Sequence, residues 1–241
     1  MKHLVIFNTI EEMESASLNT PCITYVREND SLQTHKENYI IATYQADDSI
    51  DYGMNILGAT FATSQIQTMF IDDVETGLKT VFDTPGEHIV KIVFNNLTNC
   101  QQMFANCVAL TQLDTSHFDT SKVTQCVMML SNTSLVQFNA SDLDFSQCTA
   151  MAAMFGNSKR LRTVNMGDSD LTSLRTMVSI FANCENLSTV KFGGNLSTSC
   201  TCSGAFSGIS TTGRLFLNPN YTDNYINLIT AMPSTWSIMT A

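Results

Sequence analysis

Four histidines are the side chains of this sequence best suited to acid–base chemistry near neutral pH, namely His3, His35, His88 and His117. None of them stands beside a serine or cysteine in a recognisable nucleophile motif. The stretch Phe-Ser-Gly-Ile-Ser at 206–210 lacks the Gly-x-Ser-x-Gly spacing of a nucleophile elbow. The stretch Gly-Gly-Asn at 193–195 lacks the spacing of a phosphate-binding loop and is interpreted as a turn. We therefore predict no catalytic residue, no cofactor and no enzymatic activity.

Aspartates and cysteines are the remaining potential metal ligands. Six aspartates recur near one edge of the repeats described below: Asp114, Asp119, Asp142, Asp144, Asp168 and Asp170. Carboxylates in a row can bind calcium, but no EF-hand pattern is present and we interpret them as solvated loop residues. The eight cysteines fall mostly in repeated apolar columns. A disulfide or metal role for Cys200 with Cys202, or for Cys100 with Cys107, stays open, although no histidine pair has zinc-site spacing. No metal site is predicted.

An internal repeat organises the middle of the chain. Its anchor residues are separated by 26, 25, 26 and 25 residues and are Phe104, Leu130, Phe155, Phe181 and Phe206. That period lies within the roughly 20–29 residues of leucine-rich repeats. Six residues after the first, third and fourth anchors, and five after the second, comes a leucine. Three residues further on the chain has Leu113, Phe138, Val164 and Val190, with Leu215 as the fifth member. The pattern predicts a short strand whose apolar residues face the core.

A second spacing predicts a short helix before each strand. Four residues before each anchor stand Cys100, Cys126, Met151, Met177 and Cys202, and this spacing places both positions on one helical face. Two residues after each anchor stand Asn106, Asn132, Asn157, Asn183 and Gly208, types that readily adopt a positive φ. We interpret this column as a helix cap, compatible with an asparagine ladder between repeats. The predicted fold is a leucine-rich-repeat α/β solenoid, with a short helix and a short parallel strand per repeat, preceded by a small β-rich domain.

Charge and hydropathy disfavour two kinds of partner. The 241 residues carry a formal net charge of −10 and include no basic stretch. Nucleic acid and anionic membrane surfaces are disfavoured, because both require clustered lysine and arginine. No stretch approaches the roughly 18 apolar residues of a membrane span. The apolar run at residues 4–7 is too short for a signal-peptide core, so we expect a soluble chain outside the secretory route.

The first repeat resembles a known repeat family. The stretch FANCVALTQLDTSHFDTSKVT, which begins at Phe104, is similar to the BspA-like, treponemal-type leucine-rich repeats, and the resemblance covers residues 95–217. Segments 39–44, 69–75 and 82–94 resemble a small β domain that precedes such repeats in proteins of gut Bacteroidales and their phages. Adhesins of the family carry export signals, and no signal-peptide core is recognised near residues 4–7. The resemblance and this expectation together favour a virion location. The alternative is a bacterial cell-surface or secreted location.

The predicted organisation has four parts. Residues 1–38 hold strands at 4–7 and 22–26, a helical stretch at 9–17 and a polar loop or linker at 27–38. Residues 39–94 form the small β domain, and residues 95–217 form the repeats. Residues 218–241 form a C-terminal cap, in which a short helix runs from Thr222 or Asp223 to Ala231. Trp236 then covers the open end of the core, as solenoids require.

The outward strand positions are the candidate partner-binding ribbon: Gln112, Asp114, Gln137, Asn139, Thr163, Asn165, Thr189, Lys191, Arg214 and Phe216. Polar, mostly uncharged side chains suit a protein or glycan partner, and they also suit plain solvation. We therefore predict a non-enzymatic structural or binding module, such as a phage virion or fibre-associated protein. Its partner would be a protein or glycan on a cell surface, or another virion protein, and it can form a homo-oligomer. A bacterial adhesin and an enzyme of unrecognised type are the alternatives.

Overall fold

The computed structural model describes residues 5–7, 24–28, 31–35, 37–209 and 211–240, and the chain divides into a unit of residues 1–38 and a unit of residues 39–241. In the first unit, β1 (Val5–Phe7) pairs in parallel with β2 (Thr24–Glu28), which pairs antiparallel with β3 (Ser31–His35). The prediction of a loop at 27–38 is wrong, because this polar run contains β3. The predicted helical stretch at 9–17 lies outside the described residues.

The second unit begins with a five-stranded sheet. These are β4 (Asn38–Ala46), β5 (Ile66–Ile71), β6 (Val74–Glu75), β7 (Gly86–Phe94) and β8 (Leu110–Asp114). They form one sheet in the order β6-β5-β7-β4-β8. Alternation along β4 and β7 directs one set of side chains into the core, and Ile40, Ala42, Val90 and Ile92 are all fully buried.

A parallel sheet follows, with one strand from each successive repeat. Its members are β9 (Gln137–Asn139), β10 (Thr163–Asn165), β11 (Thr189–Phe192), β12 (Gly213–Leu217) and β13 (Trp236–Thr240), and they pair in chain order. The first four strands lie at the predicted Leu-x-x-apolar positions. The predicted apolar column is in register across them, since Phe138 faces Val164, Val164 faces Val190 and Val190 faces Leu215. All four residues are buried.

The strand of the first repeat does not join this parallel sheet. Instead β8 pairs antiparallel with β4, with Leu113 opposite Ala42 and Asp114 opposite Ile41. The predicted boundary at residue 94 is therefore not a structural division, because residues 39–241 form one compact unit. Periodicity assigned β8 correctly to a repeat, but periodicity carries no information about which neighbouring strand each repeat strand will pair with.

The short helix predicted in each repeat is not formed. Consecutive turns form the corresponding segments, which are 100–107, 126–133, 151–158 and 177–184. The α-helix among the described residues is α1 (Ile226–Thr230), near the C-terminus. In the first segment, the backbone N–H groups of Met103, Ala105 and Cys107 each donate to the carbonyl three residues earlier. The N–H groups of Gln102 and Phe104 instead donate to carbonyls of the next repeat, at 2.9 Å each. The same alternation recurs in the three following segments, except that the backbone N–H of Thr133 donates to the Ser158 hydroxyl.

Two left-handed residues per repeat explain why turns replace the helix. The predicted column Asn106, Asn132, Asn157, Asn183 and Gly208 has φ between 55° and 77°, so its predicted positive φ is confirmed. A second column, four residues earlier, is also left-handed: Gln102, Met128, Ala153, Ser179 and Gly204. A left-handed residue at the third position closes a β-turn and interrupts a right-handed helix. The interpretation as helix caps is therefore wrong, since each asparagine closes a turn.

The predicted asparagine ladder forms as two separate pairs between neighbouring repeats. The side-chain Nδ2 of Asn132 donates to Oδ1 of Asn106, and Nδ2 of Asn183 donates to Oδ1 of Asn157, both at 3.0 Å. Each ladder bond joins amides that would otherwise bond to water, so its net contribution is about 0.5–1.5 kcal/mol. The ladder therefore adds to the backbone hydrogen bonds that hold the same turns together.

Aromatic rings fill the interior between the turns and the strands. Phe155 lies between Phe138 and Phe181, with ring centroids 5.2 and 5.6 Å away, and Phe206 continues the column at 5.4 Å from Phe181. Trp236 ends the column, 5.2 Å from Phe206, with 5% of its surface exposed. These spacings are those of favourable aromatic pairs. Trp236 covers the last phenylalanine as predicted, but it does so as the first residue of β13.

The segment before β13 begins earlier than predicted. A 3-10 helix spans Pro219–Tyr225 and continues into α1. Asn218 provides the N-cap, because its side chain accepts a hydrogen bond from the backbone of Asn220, and the following proline suits a first helical position. The sequence therefore predicted the helical segment and its end near Ala231, but the cap lies at Asn218 instead of Thr222 or Asp223.

Candidate functional site

The outer face of the parallel sheet displays two rows of side chains. Strand register aligns the first row across Gln137, Thr163, Thr189 and Arg214, and the second across Asn139, Asn165, Lys191 and Phe216. All eight are exposed or half-buried. The structure thus brings eight of the ten predicted ribbon residues onto one surface. The other two, Gln112 and Asp114, belong to β8, which pairs with β4 in the other sheet, so strand register does not align them with these rows.

The last strand extends both rows. Ser237 lies opposite Arg214, and Met239 lies opposite Phe216. Neither position was predicted, because residues 236–240 do not repeat the Leu-x-x-apolar pattern. The available signal was the short alternation Trp236, Ser237, Ile238, with tryptophan and isoleucine being residue types that favour strands.

Part of the second row stabilises the strand ends. Nδ2 of Asn165 donates to Oδ1 of Asn139 at 2.8 Å, and Oδ1 of Asn165 accepts from the backbone N–H of Gly167. Asp114 has the equivalent role in β8, where its Oδ1 accepts from the backbone N–H of Ser116. This hydrogen bond, with one from the Ser116 hydroxyl, lowers the pKa of Asp114. These side chains form Asx turns, so their first role is structural.

A second column of aspartates also forms Asx turns. The carboxylates of Asp119, Asp144 and Asp170 each accept from the backbone N–H two residues later, at 2.8–3.0 Å. The spacing of 25 and 26 residues repeats a turn, which gives this column a structural role. No cluster of three or more histidine, cysteine or acidic side chains occurs in the part of the chain that the structure describes. The calcium alternative therefore gains no support from geometry.

A polar groove lies at the carboxyl ends of β11 and β12. It encloses about 550 Å³ and is lined by Asp168, Asp170, Lys191, Gly193, Gly194, Asn195, Asn218 and Tyr221. Two internal hydrogen bonds shape its wall. Nδ2 of Asn218 donates to the carbonyl of Gly193 at 2.9 Å, and the buried Tyr225 hydroxyl donates to the carbonyl of Gly194 at 2.7 Å. Of the lining residues, only Lys191 was a predicted ribbon residue.

The two glycines are required by close packing beneath the groove. A Cβ atom added at Gly193 would lie 1.7 Å from Oδ1 of Asp168, and one added at Gly194 would lie 1.7 Å from the carbonyl oxygen of Ser169. Any larger residue would displace the aspartate or the neighbouring backbone. The sequence predicted a turn at 193–195. The structure shows that the glycine at 193 also leaves space for the Asp168 carboxylate beside the groove wall.

His88 forms a tight polar contact in the antiparallel sheet. Its Nδ1 lies 2.7 Å from Oδ2 of Asp72, its Nε2 lies 3.0 Å from the carbonyl oxygen of Thr84, and its ring stacks on Phe82. Burial by itself lowers the pKa of His88. The hydrogen bonds to Asp72 and to Thr84, with the charge of Asp72, outweigh it and raise the pKa. The hydrogen bond from His88 is the main cause of the lowered pKa of Asp72. No nucleophile is among the His88 contacts.

The contact between His88 and Asp72 predicts that the free energy of unfolding depends on pH. Folding raises the pKa of His88 above its unfolded value of about 6.5. The contribution of protonated His88 to the free energy of unfolding is therefore complete below about pH 6.5 and is lost as the pH rises through the folded pKa. We expect urea unfolding to show a decrease in stability between about pH 6 and pH 8, of under about 1 kcal/mol because Asp72 is half exposed. The variant His88→Gln should lose this slope. The control His117→Gln should keep it, and a wild-type slope in His88→Gln would contradict the assignment.

His117, in contrast, lies on the surface as predicted. Its exposed ring stacks on Tyr39 with centroids 4.6 Å apart, and its Nδ1 lies 2.9 Å from the Ser116 hydroxyl. Lys91 covers the other side of Tyr39, with its Nζ 4.2 Å from the ring centroid. The arrangement is a surface cation–π contact beside a stacked pair.

The cysteines of the described residues are buried free thiols, seven in number. Cys100, Cys126 and Cys202 occupy the same interior column as Met151 and Met177, as predicted. In the column of Cys107, the Cys184 thiol donates to the carbonyl of Phe155 at 3.0 Å, and burial raises the pKa of Cys184 to about 12. Ser158 makes the equivalent bond to the carbonyl of Leu130 at 2.8 Å. This column therefore selects small side chains with a donor. The open alternative of disulfides at Cys100–Cys107 or Cys200–Cys202 is not seen.

Comparison with known proteins gives one family match. Residues 76–193 match the model of a family described as Mycoplasma protein of unknown function, DUF285. This repeat family is related to the BspA-like proteins, and the match covers somewhat under half of the chain. It supports the resemblance to BspA-like repeats over β7 to β11. The chain matches no curated protein and no solved structure. Within the described residues, no helix has the length and apolar character needed to cross a membrane.

Proposed function

We propose that this protein is a non-enzymatic binding module that presents the outer face of the parallel sheet to a protein or glycan partner. The observation that carries the proposal is the in-register display of two side-chain rows by successive strands, because such rows form an extended surface on a rigid support. Phe216 and Met239 end the second row, and the other side chains are polar and mostly uncharged, with hydroxyls, amides, one lysine and one arginine. Such side chains exchange hydrogen bonds with another polar surface without a large cost for removing charges from water.

We also propose that residues 95–240 form a solenoid of the leucine-rich-repeat class in which stacked turns replace the helices. Two features support this assignment. Strands separated by about 25 residues pair in parallel and in chain order, and the turn segments bond to each other in the same order. Every repeat then contacts its sequence neighbours, which is the defining arrangement of a solenoid. The predicted α/β description changes accordingly, because the repeats contain strands and turns.

For the biological setting, we propose a virion or fibre-associated protein of a phage of gut Bacteroidales. The resemblance of residues 95–217 to BspA-like repeats supports it, together with a surface rich in uncharged polar residues. A bacterial cell-surface or secreted adhesin is the second candidate, and the same repeat resemblance favours it. The two candidates differ in assembly, since a virion part is expected to be a permanent symmetric oligomer and an adhesin module can act as a monomer.

The molar mass of the purified protein, measured by light scattering at low micromolar concentration, distinguishes the virion candidate from the adhesin candidate. A stable symmetric oligomer supports the virion candidate, which electron microscopy of purified particles labelled with an antibody would then check. A monomer that is absent from particles contradicts the virion candidate and leaves the adhesin.

Binding to a printed array of oligosaccharides and to immobilised extracellular-matrix proteins tests the module itself. We expect the double variant Gln137→Ala with Thr163→Ala to weaken binding at least fivefold, since both side chains project from adjacent strands in one row. The variant Arg160→Ala, on an exposed residue outside the sheet, is the matched control. Equal loss in the control would overturn the assignment of the sheet face.

A further inference from the structure

We infer that the groove at the ends of β11 and β12 is a subsite for a neutral saccharide. This inference rests on the proposed binding function and specifies one ligand class and one location for it. The groove lies beside the second row, and Lys191 belongs to both surfaces. Its volume of about 550 Å³ lies within the roughly 300–1,000 Å³ of small-ligand sites.

Several polar groups of the groove have no partner within the described residues. The Asp168 carboxylate and the Lys191 ammonium form no hydrogen bond or ion pair there, and the Tyr221 hydroxyl likewise forms no hydrogen bond. The groups behind them, in contrast, are engaged. Oδ1 of Asn195 accepts from Nδ2 of Asn224 at 2.6 Å, which leaves the Asn195 amide nitrogen as a donor. The wall is thus held by internal bonds, and donors and acceptors that are not used internally line the opening.

The types of these groups select the ligand. Asp168 and the second oxygen of Asp170 only accept, whereas Lys191 and the Asn195 nitrogen only donate. A ligand that satisfies all of them must both donate and accept at closely spaced positions, as the hydroxyl groups of a sugar do. Tyr221 adds a partly exposed aromatic ring, 36% accessible, whose face suits the C–H face of a pyranose.

Charge disfavours two other small ligands. Lys191 among the lining residues opposes a calcium ion, which requires six to eight oxygen ligands and no neighbouring cation. Asp168 and Asp170 oppose an acidic sugar or a phosphate, because like charges would lie side by side in a groove with one lysine. A neutral polyhydroxyl ligand faces neither penalty.

A titration of the full chain with neutral oligosaccharides tests the inference. The probes are methyl glycosides and neutral oligosaccharides that bind on the array, titrated by isothermal calorimetry and by NMR. We expect Asp168→Asn and Lys191→Met each to weaken binding at least tenfold, as the loss of charge-assisted hydrogen bonds does. The control is Asp142→Asn, because Asp142 is an exposed aspartate in the same column one repeat earlier and does not line the groove. Circular dichroism of each variant shows whether it is folded.

The outcomes separate this inference from the proposed function. Saccharide binding that is lost in the groove variants and retained in Asp142→Asn supports both. Binding of acidic sugars alone, a calcium requirement, or equal loss in the control overturns the saccharide subsite. If the chain binds a matrix protein through Gln137 and Thr163 and binds no saccharide, the subsite is wrong and the binding module stands. If neither class binds, the proposed function is wrong as well.

Discussion

The variant Phe155→Ala should lower the free energy of unfolding by about 3–5 kcal/mol. Phe155 is fully buried, and its ring lies between those of Phe138 and Phe181. Truncation removes the transfer free energy of the ring and leaves a cavity, because the flanking rings belong to different repeats that are held at a fixed separation by backbone bonds. Urea unfolding followed by circular dichroism measures the change.

A matched control uses the same substitution outside the core. Phe216 is half-buried in the second row of the sheet face, so Phe216→Ala should cost about 1 kcal/mol, because much of its ring is already in contact with water. If Phe155→Ala and Phe216→Ala were equally stable, the anchor column would not form the core. If the urea unfolding transition of Phe155→Ala were broad, the repeats would unfold in separate steps.

The variant Asn157→Val should lower the free energy of unfolding by about 2–3 kcal/mol, clearly more than Asn157→Gly. Asn157 has a φ of 63°, and a left-handed β-branched residue is a genuine outlier that costs roughly 1–2 kcal/mol. Both variants lose the hydrogen bond from Nδ2 of Asn183, which contributes about 0.5–1.5 kcal/mol. Glycine adopts this φ freely, so Asn157→Gly should lose little beyond that bond.

The same unfolding experiment provides the comparison. Asn96 is an exposed asparagine outside the left-handed positions, so Asn96→Val should be nearly neutral. An equal loss in Asn157→Val and Asn157→Gly would mean that backbone strain is unimportant there and that only the ladder bond matters. Comparing Asn157→Val with Asn157→Gly therefore separates the contribution of the left-handed backbone from that of the side-chain hydrogen bond.

Periodicity alone revealed where the repeat strands and the core columns lie. The anchors, the Leu-x-x-apolar positions and the asparagine column all lie where expected, because buried residues of equivalent repeats must recur at a constant interval. The sheet-face row from Gln137 to Arg214 follows from the same interval, since side chains alternate along a strand. Burial of Cys100, Cys126 and Cys202 followed from the methionines that share their column.

The four-residue spacing does not distinguish a helix from consecutive turns. Residues four apart share a face of a helix, but they also share a face in two consecutive β-turns. The deciding signal was the second left-handed column, and only Gly204 shows it by residue type. Gln102, Met128, Ala153 and Ser179 adopt positive φ because inter-repeat hydrogen bonds stabilise the turns. Intrinsic propensity does not contain that energy, so it could not predict the conformation.

The sequence by itself determined the repeat interval, the interior columns, the positive φ of the asparagines and most of the exposed ribbon. Only the tertiary structure decided that β8 joins β4, that turns replace helices, and that Asp168, Lys191, Asn195 and Tyr221 line one groove. The physical reason is the range of the interactions. A repeated column reflects burial at a regular interval along the chain, whereas strand partners and groove walls depend on contacts between segments that no local pattern encodes.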